Sequence, residues 1–358
     1  MAYIIPLLLL IAGFAQPKNK VVTYLFLLYF WVLMGLNTYT PDYEEYEKCY
    51  YSIWLYPHYE LGFQGLCILG NMYGLTFQEF RMIYAALFSL FTYIAIKRLT
   101  PYPNYVLALF LLWPFVPGVS GIRQTMANMI VACGIPCLFK DGKKQVVHYI
   151  LWVLLAASIH QSSLFFLLFI FARRTFGSKE KKVLILLIGA GLLLFAGSQL
   201  IGNITGLIDN HKFDKWLNIN SDQGVNHPSL YKFVVQVSFL LGYRLLVSSF
   251  VNKILKSNST PSSQKKRLMV YSNISVILLI IIPGFLVTNE YQRLLYATLI
   301  VYYCVAADFR YSIQFRFYSG NIKLSLFFFL TFILGCFYIV TNWGNHDVLA
   351  TFNNNLLF

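Results

Sequence analysis

The chain has 358 residues, of which 58% are hydrophobic and 12% charged; that leaves too little polar surface for a water-soluble globule of this size. Its formal charge of +14 would suit a nucleic-acid binder, but in a lipid-embedded chain Lys and Arg collect on the cytoplasmic side, and their placement excludes nucleic acid as the partner. Apolar runs recur from end to end, so residues 1–358 are expected to form one integral membrane domain: an all-α, polytopic transmembrane bundle of about twelve segments, some short or re-entrant.

In chain order the expected segments are 2–16, 21–37, 77–96, 104–118, 122–139, 146–159, 161–172, 183–201, 229–250, 268–287, 294–307 and 324–341. The first run, Tyr3 to Ala15, has no basic residue ahead of it and no small-residue cleavage site, and so reads as a retained helix. Between the second and third segments lies an outer loop, 38–76. Its Gly-rich part from Glu60 to Leu75 suits an interfacial or re-entrant helix. Residues 252–267, with Ser-Asn-Ser-Thr-Pro-Ser-Ser, form a flexible inner linker.

If the chain starts outside, the inner loops hold twenty of the 28 basic residues but only Asp141, Glu180 and Asp308 among the 14 acids. Six consecutive loops then obey the positive-inside rule, which an error of one segment would destroy. The stretch 146–172 tests this parity, because as one long helix it would put Lys140 to Lys144 and Arg173 to Lys182 on opposite faces. A turn at His160 keeps both inside. The two short arms should leave that turn below the outer surface, where irregular backbone is tolerated only if protein buries it or water reaches it.

With the topology set, Asp42, Glu60, Arg123, His160, Glu290 and Arg293 gather at the outer end. Ionisable groups at membrane depth are costly unless paired or hydrated, which makes them functional candidates. Arg123 follows Pro114, Pro117 and Gly118 at the start of a helix, where a guanidinium fork beside backbone donors suits phosphate; a snorkelling interfacial arginine is the alternative. Glu290 and Arg293, spaced i, i+3, either pair with each other or jointly present an arginine. His160 is a candidate base or a polar turn residue. Most of the acids near Asp42, including Glu44, Glu45 and Glu47, read as solvated.

The six cysteines show no metal-ligand spacing; Cys49 and Cys67 share the outer loop, where a disulfide is one reading and buried thiols the other. There is no nucleotide loop, no metalloprotease signature and no nucleophile elbow, so neither a metal nor a cofactor is expected.

Several motifs resemble the EpsG family of polysaccharide polymerases, a branch of the Wzy-like O-antigen and exopolysaccharide polymerases. They are Thr40-Pro41-Asp42-Tyr43, Glu60-Leu61-Gly62-Phe63, Gly121-Ile122-Arg123-Gln124, Ser158-Ile159-His160-Gln161-Ser162, Asn289 to Arg293, and the terminal Asn353 to Phe358. The resemblance implies a GT-C-like, metal-independent, inverting glycosyltransferase in a bacterial cytoplasmic membrane, with its active site facing outward. Donor and acceptor would be undecaprenyl-diphosphate-linked glycans, with a flippase and a chain-length regulator as partners. Arg123, Gln124, Arg293, Asp42 and Tyr43 would then bind diphosphate and sugar, and His160, Glu60 or Glu290 would take the acceptor's proton. A flippase for the same lipid-linked unit and a membrane O-acyltransferase acting on glycans are the competing readings.

Overall fold

The computed structural model describes residues 4–174, 186, 189, 193, 230–256, 260–286, 293–311, 318–340 and 351–357, and every regular element among them is a helix. Helix α1 (Ile4–Ala15) packs on α2 (Lys20–Gly35), which starts where the Asn19 side chain accepts the Val21 N–H at 2.9 Å. Two short helices follow, α3 (Tyr43–Tyr51) and α4 (Leu61–Met72), and then the long α5 (Phe77–Leu99), opened by a capping box between Thr76 and Glu79.

Helix α6 (Pro103–Phe110) runs on irregularly to Gly118, broken at Trp113 and Pro114. Proline cannot continue the ladder, and the break exposes a carbonyl that Tyr303 satisfies, donating to Trp113 O at 2.7 Å. Next come α7 (Ile122–Gly134, extended to Phe139), α8 (Lys143–Ile159) and the tightly wound α9 (Gln161–Arg173). Helix α10 (Leu230–Leu255), α11 (Ser262–Ile277, extended to Leu286), α12 (Arg293–Arg310) and α13 (Tyr318–Val340) follow among the described residues.

Each expected membrane segment except 183–201 falls on one of these helices; that one lies outside the described residues apart from three positions. Among the described residues, Phe77–Leu99, Ile122–Phe139, Phe233–Leu255 and Ser262–Phe285 are long and apolar enough to cross a membrane, while six further apolar helices are shorter. The setting is nevertheless lipid, because Leu7, Leu8, Ile11, Leu90, Leu151 and Phe329 lie exposed on helix faces where a soluble protein would carry charge. Helices α7 and α12 form the interior: Arg123 alone escapes burial in α7, and Tyr296 alone between Leu294 and Phe309 in α12.

The chain reverses at His160 as the charge pattern requires. Tyr149 in α8 donates to Phe166 O in α9 at 2.7 Å, and Arg173 donates to Lys140 O at 2.8 Å. In one continuous helix, residues 17 apart would be separated by about 25 Å.

One end of the bundle is therefore basic. There Asn104 donates to Gln16 O and Asn19 O, Tyr271 to Leu99 O, and Asn273 to Ala172 O, while Lys266 pairs with Asp141 and the half-buried Arg267 with Asp308 at 2.7 Å. The opposite end is closed by the carboxy-terminal segment, where Thr38 N donates to Asn354 O at 2.7 Å and Leu356 N to Leu36 O at 2.9 Å. Cys49 and Cys67 lie near that end as free, buried thiols rather than a disulfide, and burial pushes the Cys49 thiol up to about 11.

Candidate functional site

Two acids that open helices at the non-basic end do not cap them. Asp42 stands at the amino-terminal position of α3 and Glu60 at that of α4, and neither side chain bonds to its own helix. An aspartate there ordinarily accepts a backbone N–H of the first turn. Both carboxylates turn instead to residues far away in sequence.

Glu60 Oε2 accepts from Arg123 Nη1 at 2.6 Å, and Glu60 Oε1 accepts the backbone N–H of Gln161 at 3.0 Å. One carboxylate thus ties the start of α7 to the α8–α9 turn. The approach depends on Gly62: a Cβ there would stand 2.4 Å from Ser158 Oγ and 2.7 Å from Ser158 O. Two stretches that carry the sequence resemblance, one around Glu60 and one around His160, are in this way a single packing contact.

The Arg123 guanidinium lies among aromatic faces, 4.1 Å from the Tyr59 ring centre, 5.3 Å from Phe63 and 5.5 Å from Tyr46. Ring faces hold a cation by their negative π surface without neutralising it. Burial raises the Tyr46 and Tyr59 phenols, so both stay protonated at neutral pH. Arg123 Nε is buried with no hydrogen-bond partner. Arg123 is therefore not a snorkelling side chain but a paired, aromatic-lined cation.

Asp42 lies close to Ser120, two residues before α7, and feels both Arg293 and Arg123. Burial raises its carboxyl above the usual range and Glu45 adds to the rise, while Arg293, Ser120 and Arg123 pull it back. Arg293, half-buried at the first turn of α12, also acts on Tyr46. Asp42, Glu60, Arg123 and Arg293 therefore converge from four separate parts of the chain. Glu290 lies outside the described residues, and so does its suggested pairing with Arg293.

His160 has a more local task. Its Nδ1 accepts the Ser162 N–H at 3.4 Å and lies 2.8 Å from Ser162 Oγ, capping α9. A neutral imidazole that accepts at Nδ1 carries its proton on Nε2, and there it is a donor rather than a base. Gln124 is buried beside Arg123. Tyr43 donates to Gln78 at 3.4 Å, and the Arg81 guanidinium lies 4.9 Å from its ring centre.

Arg81 is absent from the sequence-derived set. It is 1% exposed, one turn into α5, and donates to Met34 O near the carboxyl end of α2 at 3.0 Å. Its signal was available as a lone cation in an apolar run. The negative end of α2 partly compensates its charge.

A model of the EpsG family matches residues 20–356, nearly the whole chain. The chain belongs to the EpsG family. No curated protein and no solved structure matches it. Membership in EpsG, with the apolar helices, makes this a membrane protein of polysaccharide synthesis, and the clustered arginines and acids are its candidate centre.

Proposed function

We propose that this EpsG protein joins glycan repeat units carried on undecaprenyl diphosphate, at the outer face of a bacterial cytoplasmic membrane. In this reading the chain crosses twelve times in a GT-C-like bundle, with the basic end in the cytoplasm. The observation that carries the proposal is the convergence of Arg123, Arg293, Asp42 and Glu60 at the end opposite the lysine-rich loops.

The chemistry follows from the substrate. The acceptor hydroxyl oxygen bonds to the anomeric carbon of the donor from the face opposite the leaving group, the carbon–oxygen bond to diphosphate breaks, and the diphosphate leaves with the electron pair. Negative charge grows on the diphosphate as it departs, so fixed cations aimed there lower the barrier most. Arg123 and Arg293 take that part. Asp42, with its neighbour Tyr43, and Gln124 next to Arg123 orient sugar hydroxyls, since a carboxylate accepts two hydrogen bonds at once.

The test is elongation by purified protein given lipid-linked repeat units. Wild type should add whole repeats without moving lipid across the membrane, and Arg123→Ala should leave single units. Translocation without elongation would show a flippase instead, and a fixed added acyl mass an acyltransferase.

A further inference from the structure

Arg123 is already occupied by an anion belonging to the protein. Glu60 takes Nη1 at 2.6 Å, yet Nε stays buried with no partner, so the guanidinium is only partly satisfied. A phosphate can take Nε and a terminal nitrogen together as a fork, which a carboxylate held from the other side by Gln161 N–H does not achieve here. The rings of Tyr46, Tyr59 and Phe63 hold the cation in place whichever anion faces it.

We propose that Glu60 is a resident stand-in for the donor's diphosphate: donor binding takes Arg123 from Glu60, and the freed carboxylate becomes the base for the acceptor hydroxyl. This rests on the polymerase reading above and adds an order to it. While Arg123 holds Oε2, that oxygen is directed at a cation. Once the diphosphate takes the guanidinium, Oε2 no longer faces a cation and is released to accept a proton, while Gln161 N–H still anchors Oε1. The acceptor proton then passes to Glu60 Oε2 as the acceptor oxygen bonds to the anomeric carbon, and the electron pair of the broken bond leaves on the diphosphate. The carboxylate is released only when a donor is present, so the acceptor hydroxyl is activated only after the donor has bound. Of the three candidate bases, Glu60 touches the diphosphate arginine, whereas His160 uses Nδ1 to cap α9.

Calorimetric titration of detergent-purified protein with inorganic pyrophosphate tests the exchange. Without its internal competitor, Glu60→Gln should bind pyrophosphate about tenfold more tightly than wild type, and Arg123→Ala should lose binding. Glu60→Asp keeps the charge that stabilises the fold but is one methylene shorter, and it should also bind more tightly. In the elongation assay Glu60→Gln should lose about a hundredfold or more in kcat while the donor KM falls or holds. Equal affinities in wild type and both Glu60 variants, with binding lost in Arg123→Ala, would overturn the exchange and leave the donor site standing. Wild-type turnover in Glu60→Gln would overturn the base assignment. Pyrophosphate binding indifferent to Arg123→Ala would remove the donor site itself.

Discussion

Tyr149 and Phe166 meet through a 2.7 Å hydrogen bond across the reversal at His160, so that α8 and α9 lie side by side with both flanking basic clusters at one end. Tyr149 is wholly buried, and its phenol supplies a carbonyl that no water can reach. Replacing it by Phe should cost about 1–3 kcal/mol, the usual penalty of a stranded buried acceptor, read as a lowered melting temperature in detergent.

In the proposed twelve-pass arrangement the same reversal sets the sidedness of the chain. A cysteine placed at Gln161 should react with an impermeant thiol reagent from outside intact cells, and one at Lys143 only after the membrane is opened. Labelling of both positions from one side without permeabilisation would break the twelve-pass arrangement.

Asp42 supplies a pH signature. Its folded-state carboxyl is raised, first by burial, so the group favours the folded protein below the ordinary carboxylate range, and that contribution fades as pH rises through the raised value. For catalysis the sign is reversed, because a sugar-orienting carboxylate must be ionised. The acid limb of kcat/KM should therefore fall above the range of an unperturbed aspartate, and Asp42→Asn should lower activity and shift that limb, leaving the one the Glu60 base imposes, while making the protein more stable near neutral pH. A limb unchanged in Asp42→Asn would assign it to another group.

Arg81 tests positioning rather than chemistry. Its one hydrogen bond, to Met34 O, joins α5 to the end of α2, and Tyr43 stacks over it next to Asp42. Arg81→Lys keeps the charge but loses the planar group beneath the ring. It should lower kcat several-fold and shift the acid limb that Asp42 governs, whereas a merely structural arginine would lower the melting temperature and leave the pH profile in place.

Much of this arrangement was legible in the sequence, because charge asymmetry and segment hydropathy are summed over many residues. The reversal at His160 followed from the basic clusters around 140–144 and 173–174, and the gathering of Asp42, Glu60, Arg123 and Arg293 followed from that parity. What the sequence did not reveal depends on single contacts. The Arg123–Glu60 pair needs α4 to close on α8, and the burial of Arg81 needs a carbonyl from α2; neither leaves a periodic trace. His160 is intermediate: its serine two residues on is the pattern of a side chain capping the next helix.

Gly62 is where a packing contact and the proposed chemistry meet. Gly62→Ala puts a Cβ 2.4 Å from Ser158 Oγ and 2.7 Å from the Ser158 carbonyl oxygen. A side chain can rotate away, but a backbone carbonyl in α8 cannot, so α4 must shift outward at a cost of about 1–3 kcal/mol. Glu60, two residues earlier, would move with it and loosen from Arg123 and Gln161 N–H together. Elongation should therefore fall much further than stability does. Ser158→Gly in the same chain removes the hydroxyl and Cβ but not the carbonyl, so it should restore only part of the melting temperature and little of the activity. Full recovery of activity in the double variant would mean that the side chain of Ser158, and not the seating of α4 on the backbone of α8, is what places Glu60.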